Sequence, residues 1–299
     1  MQLNDSRTTE GIYVLFTNNC IRMKKFLFLC AFAALLMACQ GDKNEPAQVQ
    51  SVLFKVNAFG QVTQPMQAPR ATILDDEEGT ALTDLFIFDG TSQVAHQTSD
   101  DANFGTVTLN LTHGNHNLSF IMTRSTGITV SEGVMTFGSV RSTFGKLLVL
   151  NVSGSTGAQD LTLDRISGQL VLTINDEFPS TANQIEFIVD PRYTKLDVTN
   201  LQGVDAAEFS QKVSCTSKVG MTNVQYTFNT ICPSLTEETT ADVTINIYNS
   251  GGSVIYSVTI DDVRFAANTK TLLSGNLFTA PVASVGVNHS WNANIVGSW

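Results

Sequence analysis

Leu82-Thr83-Asp84-Leu85-Phe86-Ile87-Phe88-Asp89-Gly90 is the stretch that decides how this chain folds. Leu85 to Phe88 is a short, unbroken apolar run, closed by the turn pair Asp89-Gly90. That is the pattern of a central strand buried on both sides and followed by a turn. Outward from it, period-2 alternation recurs. Upstream, Val52, Phe54 and Val56 alternate with Leu53, Lys55 and Asn57, and Gln61 to Pro69, with two prolines, reads as an exposed connection. Downstream, Val107, Leu109 and Leu111 face one way, His113-Gly114-Asn115-His116 forms a hairpin tip, and Leu118, Phe120 and Met122 carry the return strand. Lys146 to Val152 is a further strand.

The second half repeats the pattern. Leu170, Leu172 and Ile174 form one apolar face, Ile185, Phe187 and Val189 another, and Val224, Tyr226 and Phe228 a third. Val243, Ile245 and Ile247 lead into Asn249-Ser250-Gly251-Gly252, and Val254, Tyr256, Val258 and Ile260 return, a strong hairpin signal. Only Asp205 to Phe209 hints at a helical turn. Short strands at this spacing predict an all-β protein of two β-sandwiches in tandem. The Gly/Ser cluster Ser153 to Gly157 marks the expected boundary, giving domains 51–158 and 159–299.

Ahead of the first strand stands a different kind of segment. Lys24 and Lys25 precede Phe26 to Met37, a run apolar apart from the Cys30 thiol, and small Ala38 stands before Cys39. This is the charged start, apolar middle and small exit of a secretory signal, too short for a membrane-spanning helix. Leu36-Met37-Ala38-Cys39 resembles the bacterial lipobox, which implies cleavage before Cys39 and lipidation of its thiol and new amine. Residues 1–22 are expected to be an upstream mis-start, 23–38 the signal peptide and 39–50 a polar tether. The protein is then expected outside the cytoplasm, held at the outer membrane by lipid and exposed at the cell surface.

From Cys39 on, 13 basic side chains face 25 acidic ones, a net charge of −12. With no Lys/Arg cluster, such a surface excludes nucleic-acid binding. No Gly-x-Ser-x-Gly elbow, P-loop, dinucleotide-binding glycine pattern or His-Glu-x-x-His helix occurs, so enzymatic activity, cofactors and bound metal are not expected. His113 and His116 lack a nearby carboxylate or thiol in sequence and read as turn residues. Asp75-Asp76-Glu77-Glu78 lacks the alternating spacing of a calcium loop and reads as a solvated acidic loop. Cys215 and Cys232, with sixteen residues between them, are an even pair outside the cytoplasm and are expected to be disulfide-bonded.

Three stretches carry a resemblance. Leu82 to Gly90 is similar to the "Val-x-x-Leu-x-Val-Phe-Asp" strand of the fimbrillins, lipoprotein pilus subunits of the FimA and FimB kind. Leu163-Asp164-Arg165-Ile166-Ser167-Gly168-Gln169-Leu170 resembles the strand that opens their second domain. Phe265 to Phe278 resembles their "Asn-x-x-Thr-x-Leu-x-Gly-x-Leu". The resemblance implies two transthyretin-like, Greek-key sandwiches and assembly with other pilus subunits by strand addition, with host or bacterial surface ligands as adhesion partners. In shaft subunits a protease cuts after an arginine behind the first strand, and here Arg70, followed by Ala71, is the only arginine between Cys39 and Arg124. Residues 284–296, with Val285, Val287, His289, Trp291, Ala293 and Ile295 on one face, read either as the last strand of their own domain or as a strand donated to a neighbour. The alternative function, a surface glycan-binding lipoprotein, needs exposed aromatics, and Trp291 and Trp299 are the two tryptophans the sequence offers.

Overall fold

The computed structural model describes residues 47–58 and 81–279 in full, and 286–288 and 294–298 by backbone. The chain divides between Gln48 and Val49, and the unit Val49–Trp299 carries every described strand. Its first half contributes β1 (Val49–Ala58), β2 (Asp84–Asp89), β3 (Ser92–Thr98), β4 (Thr106–Thr112), β5 (Gly114–Thr123), β6 (Thr126–Ser131), β7 (Val134–Ser139), β8 (Thr143–Val152) and β9 (Gln159–Arg165). Seven of these form a sheet in the order β3-β2-β5-β8-β9-β1-β4. β8 and β9 pair only through Phe144–Arg165 and Gly145–Asp164. At that narrow join the sheet turns over, so that β3-β2-β5-β8 faces β9-β1-β4. Val52, Phe54, Leu85, Ile87, Leu109, Leu118 and Phe120 fill the space between.

The second half contributes β10 (Ser167–Ile174), β11 (Gln184–Arg192), β12 (Lys195–Asp197), β13 (Gln202–Val204), β14 (Ala207–Ser214), β15 (Val224–Ile231), β16 (Thr239–Tyr248), β17 (Val254–Phe265), β18 (Lys270–Gly275), β19 (Gly286–Asn288) and β20 (Asn294–Ser298). Two sheets, β14-β11-β16-β17 and β15-β10-β18-β20-β19, enclose Leu170, Leu172, Ile185, Phe187, Val243, Ile245 and Ile260. Strand for strand, the halves share one plan. Each opens with a strand, β1 or β10, set between an antiparallel neighbour and a parallel one. Each backs this with a four-stranded sheet of the same order.

Two short hairpins interrupt the plan, β6–β7 in the first sandwich and β12–β13 in the second. They join each other in a separate sheet, β13-β12-β7-β6. This sheet explains the unbroken apolar run of β2. Leu85 and Ile87 face the first core, while Phe86 and Phe88 face a third core with Met135, Phe137, Leu196, Val198 and Ile231. Both faces are buried, so no polar alternation survives.

The halves are joined by one residue, Ile166, which is 1% exposed. Its amide donates to the Thr143 carbonyl and its carbonyl accepts from the Cys232 amide. A cluster of buried hydroxyls surrounds the joint: Thr123 and Thr143 lie 2.8 Å apart, and the Thr143 amide donates to Ser167 at 3.2 Å. Gly168 is the next tight point, since a Cβ there would lie 2.8 Å from the Ala266 carbonyl oxygen and 3.1 Å from the Cys232 Sγ.

Several sequence expectations change. β9 pairs with β1, so the first sandwich extends to Arg165, beyond the Ser153–Gly157 turn, and Leu163-Asp164-Arg165 ends that sandwich rather than opening the second. β4 and β5 do not pair. β4 pairs with β1 and β5 with β2 and β8, so His113 to His116 turns a corner between sheets and is not a hairpin tip. Alternation reports only which face is buried, and an arch and a hairpin have the same pattern. The 243–260 hairpin does form, with Asn249 Oδ1 accepting from the Gly251 and Ser253 amides at 3.0 Å. Asp205 to Phe209 leads into β14 rather than a helical turn, because a strand partner, β11, outweighs weak local preference.

Candidate functional site

The feature with functional content is the seat of β1. Val52, Phe54 and Val56 are each at most 1% exposed, and Phe54 packs on Phe120 with ring centroids 5.2 Å apart. On the other face Ser51 and Lys55 are exposed, and Ser51 donates to Asn110 Oδ1 at 2.7 Å. β1 therefore supplies one wall of the first core and is the middle strand of its three-stranded layer. Burying three such side chains stabilises by about 5–9 kcal/mol at 1.5–3 each, before ordering costs. That is comparable to the whole stability of an ordinary domain, about 5–15 kcal/mol. Without β1, the facing edges of β4 and β9 would present unpaired backbone groups and an open core, a template for another strand.

The residues that follow β1 include Arg70 and Ala71, which lie outside the described residues, as do Cys39 and the acidic run Asp75 to Glu78. At the other end, the stretch 284–296 read as one strand contains two short ones. β20 lies parallel to β18 on this chain's own sheet, and β19 pairs antiparallel with β20. The intervening His289 and Trp291, and Trp299, lie outside the described residues. Where the chain leaves β18, buried Asp176 accepts the amides of Leu277 at 3.1 Å, Phe278 at 2.5 Å and Thr279 at 3.0 Å, fixing the direction of departure.

The expected Cys215–Cys232 disulfide is corrected: both thiols are free and fully buried. The Cys215 amide bonds to Asn183 beside the Ile174 end of β10, whereas the Cys232 amide bonds to Ile166 at its other end. Eight strand residues separate the two positions, roughly 20 Å or more, well beyond the 7 Å Cα limit for a bridge. Burial pushes the Cys232 thiol up to about 12 and raises that of Cys215 as well. Both are packing groups.

Sequence reading missed a pair of carboxylate–histidine contacts at the ends of β2. Asp84 Oδ1 lies 2.9 Å from His96 Nε2, and the His96 ring stacks on Phe86 at 4.1 Å. Asp89 Oδ2 lies 2.5 Å from His116 Nδ1, while His116 Nε2 donates to the Thr112 carbonyl at 2.8 Å. Two acceptors on two ring nitrogens favour the imidazolium, and the Asp89 hydrogen bond raises the His116 pKa. His116 is thus a buried, charged clasp at the corner between β4 and β5, not a solvated turn residue. Among the described residues no group of three or more His, Cys, Asp and Glu could hold a metal ion.

No family model and no curated protein matches the chain. Solved structures do. A candidate adhesin from Bacteroides ovatus matches with a TM-score of 0.50 at 10% identity, over 72% of this chain and 83% of that one. The fimbrial anchor protein Mfa2 from Porphyromonas gingivalis matches at TM-score 0.44 and 10% identity, over 71% and 82%. A fimbrial assembly protein from Parabacteroides distasonis matches at 0.35 and 12%, over 77% and 91%. At these identities the likeness is one of fold, and it rests on the first of the three.

Proposed function

We propose that this chain is a structural subunit or anchor of a cell-surface pilus, tethered by lipid at Cys39 and joined to its neighbours by strand addition, with a role in adhesion. The observation that carries the reading is the seat of β1. A strand buried between two neighbours and contributing Val52, Phe54, Val56 and Ala58 to the first core is followed by a connection holding the single arginine of that region, Arg70. Cleavage there would free β1 and leave a groove matched to an alternating strand. The fold shared with the Bacteroides ovatus candidate adhesin supports the reading, as do the fimbrillin-like stretches. The chemistry proposed is mechanical rather than catalytic.

The test is electron microscopy of cells with and without the protein, combined with limited trypsin treatment of the purified chain. Loss or shortening of surface fibres together with protease-dependent polymers supports the reading. Unchanged fibres and a cleaved chain that remains monomeric and folded would overturn it. Cys39→Ala should move the protein into soluble fractions, because several acyl chains anchor far more firmly than one. Labelled palmitate still entering that variant would remove the tether from the proposal.

A further inference from the structure

The second sandwich has an open side. β14 is the edge of one sheet and β15 the edge of the other, and the end of β7 with the two residues after it, Gly138 to Arg141, also lines the cleft. The cleft between them measures about 480 Å³, within the roughly 300–1,000 Å³ of ligand sites. Two arginines line it, in a protein whose net charge is −10.

Arg192 is 7% exposed. Its Nε and Nη2 donate to the Asn229 carbonyl at 3.0 and 2.7 Å, and its guanidinium lies 3.9 Å over the Phe209 ring. Neither contact supplies negative charge, and among the described ion pairs none includes Arg192 or Arg141. Burial and the nearby Arg141 hold Arg192 down at about 10. A buried charge ordinarily has a counter-charge, which Arg192 lacks among the described ion pairs, and exposed Arg141 adds a second positive charge to the same cleft. The Tyr226 ring also lines the cleft, with its hydroxyl buried.

We propose that this cleft binds a carboxylate-bearing sugar, with Arg141 and Arg192 on the carboxylate and Ser210, Gln211 and Thr227 available to its hydroxyls. Guanidinium and carboxylate match as a planar fork, which gives orientation as well as affinity. The neutral amide and hydroxyl lining suits a polyol. The inference depends on neither lipid tether nor pilus assembly, so its failure leaves those readings untouched.

Calorimetric titration of the full chain with sodium glucuronate, against methyl glucoside and a short peptide with a free C-terminal carboxylate, tests it. Glucuronate should bind and the neutral sugar should not. Because Arg192 also ties β11 to β15, the first variant is exposed Arg141→Gln, which should bind glucuronate about tenfold more weakly for one charged hydrogen bond lost. Arg192→Lys keeps the charge but not the fork and should weaken binding without restoring it at higher pH. Equal binding of the neutral sugar, binding of the peptide but not glucuronate, or unchanged affinity in Arg141→Gln would each overturn the proposal.

Discussion

The two sandwiches share a strand plan and differ in how their first strand is held. β10 follows β9 through Ile166 alone, and both its neighbours and its chain connection fix it. β1 has the same neighbours in the same directions, but 25 residues separate its end from β2. The pairing is equivalent, but β10 is the more deeply buried strand and the more closely attached one. If β1 is exchanged as proposed, both its shallower burial and its longer connection set it apart from β10.

The largest expected effect breaks that equivalence outright. A chain beginning at Ala71 lacks β1 and should lose the first sandwich or pair with other chains; a synthetic peptide of residues 47–58 added in trans should restore a monomer. Circular dichroism and light scattering check this. A truncated chain that stays folded and monomeric without the peptide would mean that β1 is dispensable.

Next in size are matched core truncations. Phe54→Ala should cost about 3–5 kcal/mol and Leu172→Ala, its counterpart in β10, about 2–5. The shared sheet β13-β12-β7-β6 and the third core couple the halves, so both variants should lower one common melting transition in calorimetry. Two separate transitions, only one of them shifted by each variant, would show that the joint does not couple them.

A pH titration separates the halves by sign. His116 in the first sandwich has a raised pKa, so its contribution is complete below the ordinary histidine value of 6.5 and is lost as pH rises through the folded value. Glu186 in the second has a lowered pKa, chiefly through the Tyr248 hydroxyl at 2.5 Å, so its contribution is complete above the ordinary 4.5 and is lost as pH falls. His116→Gln should therefore cost most on the acid side, and Glu186→Gln most near neutrality. Parallel stability–pH curves for the two variants would refute the assignment.

The smallest effect concerns the thiols. Cys215 and Cys232 should both resist labelling in the native protein and react on unfolding, with no mass difference between reduced and unreduced samples. A linked peptide pair would restore the disulfide.

The alternation of Val52, Phe54 and Val56, of Leu118 and Phe120, and of Ile245 and Ile247 made the class of fold legible, because each side chain's face follows from strand geometry alone. Pairing partners were not legible. The corner at His113 to His116 and the hairpin at Asn249 to Gly252 have similar turn composition, and only long-range pairing tells them apart. The carboxylates at the ends of β2 stood in plain sight, but their histidines come from β3 and β5. Likewise Arg141 and Arg192 meet through folding, fifty-one positions apart, and no local spacing announces them.

The single residue between β9 and β10 has a mechanical consequence. Through it the parallel pair of β1 and β9 is connected directly to the parallel pair of β10 and β18, so tension passing from one half to the other loads both ladders. With Ile166 buried and bonded on both sides there is no slack between the halves to take up first. Such a joint transmits pull between the halves as a stiff link.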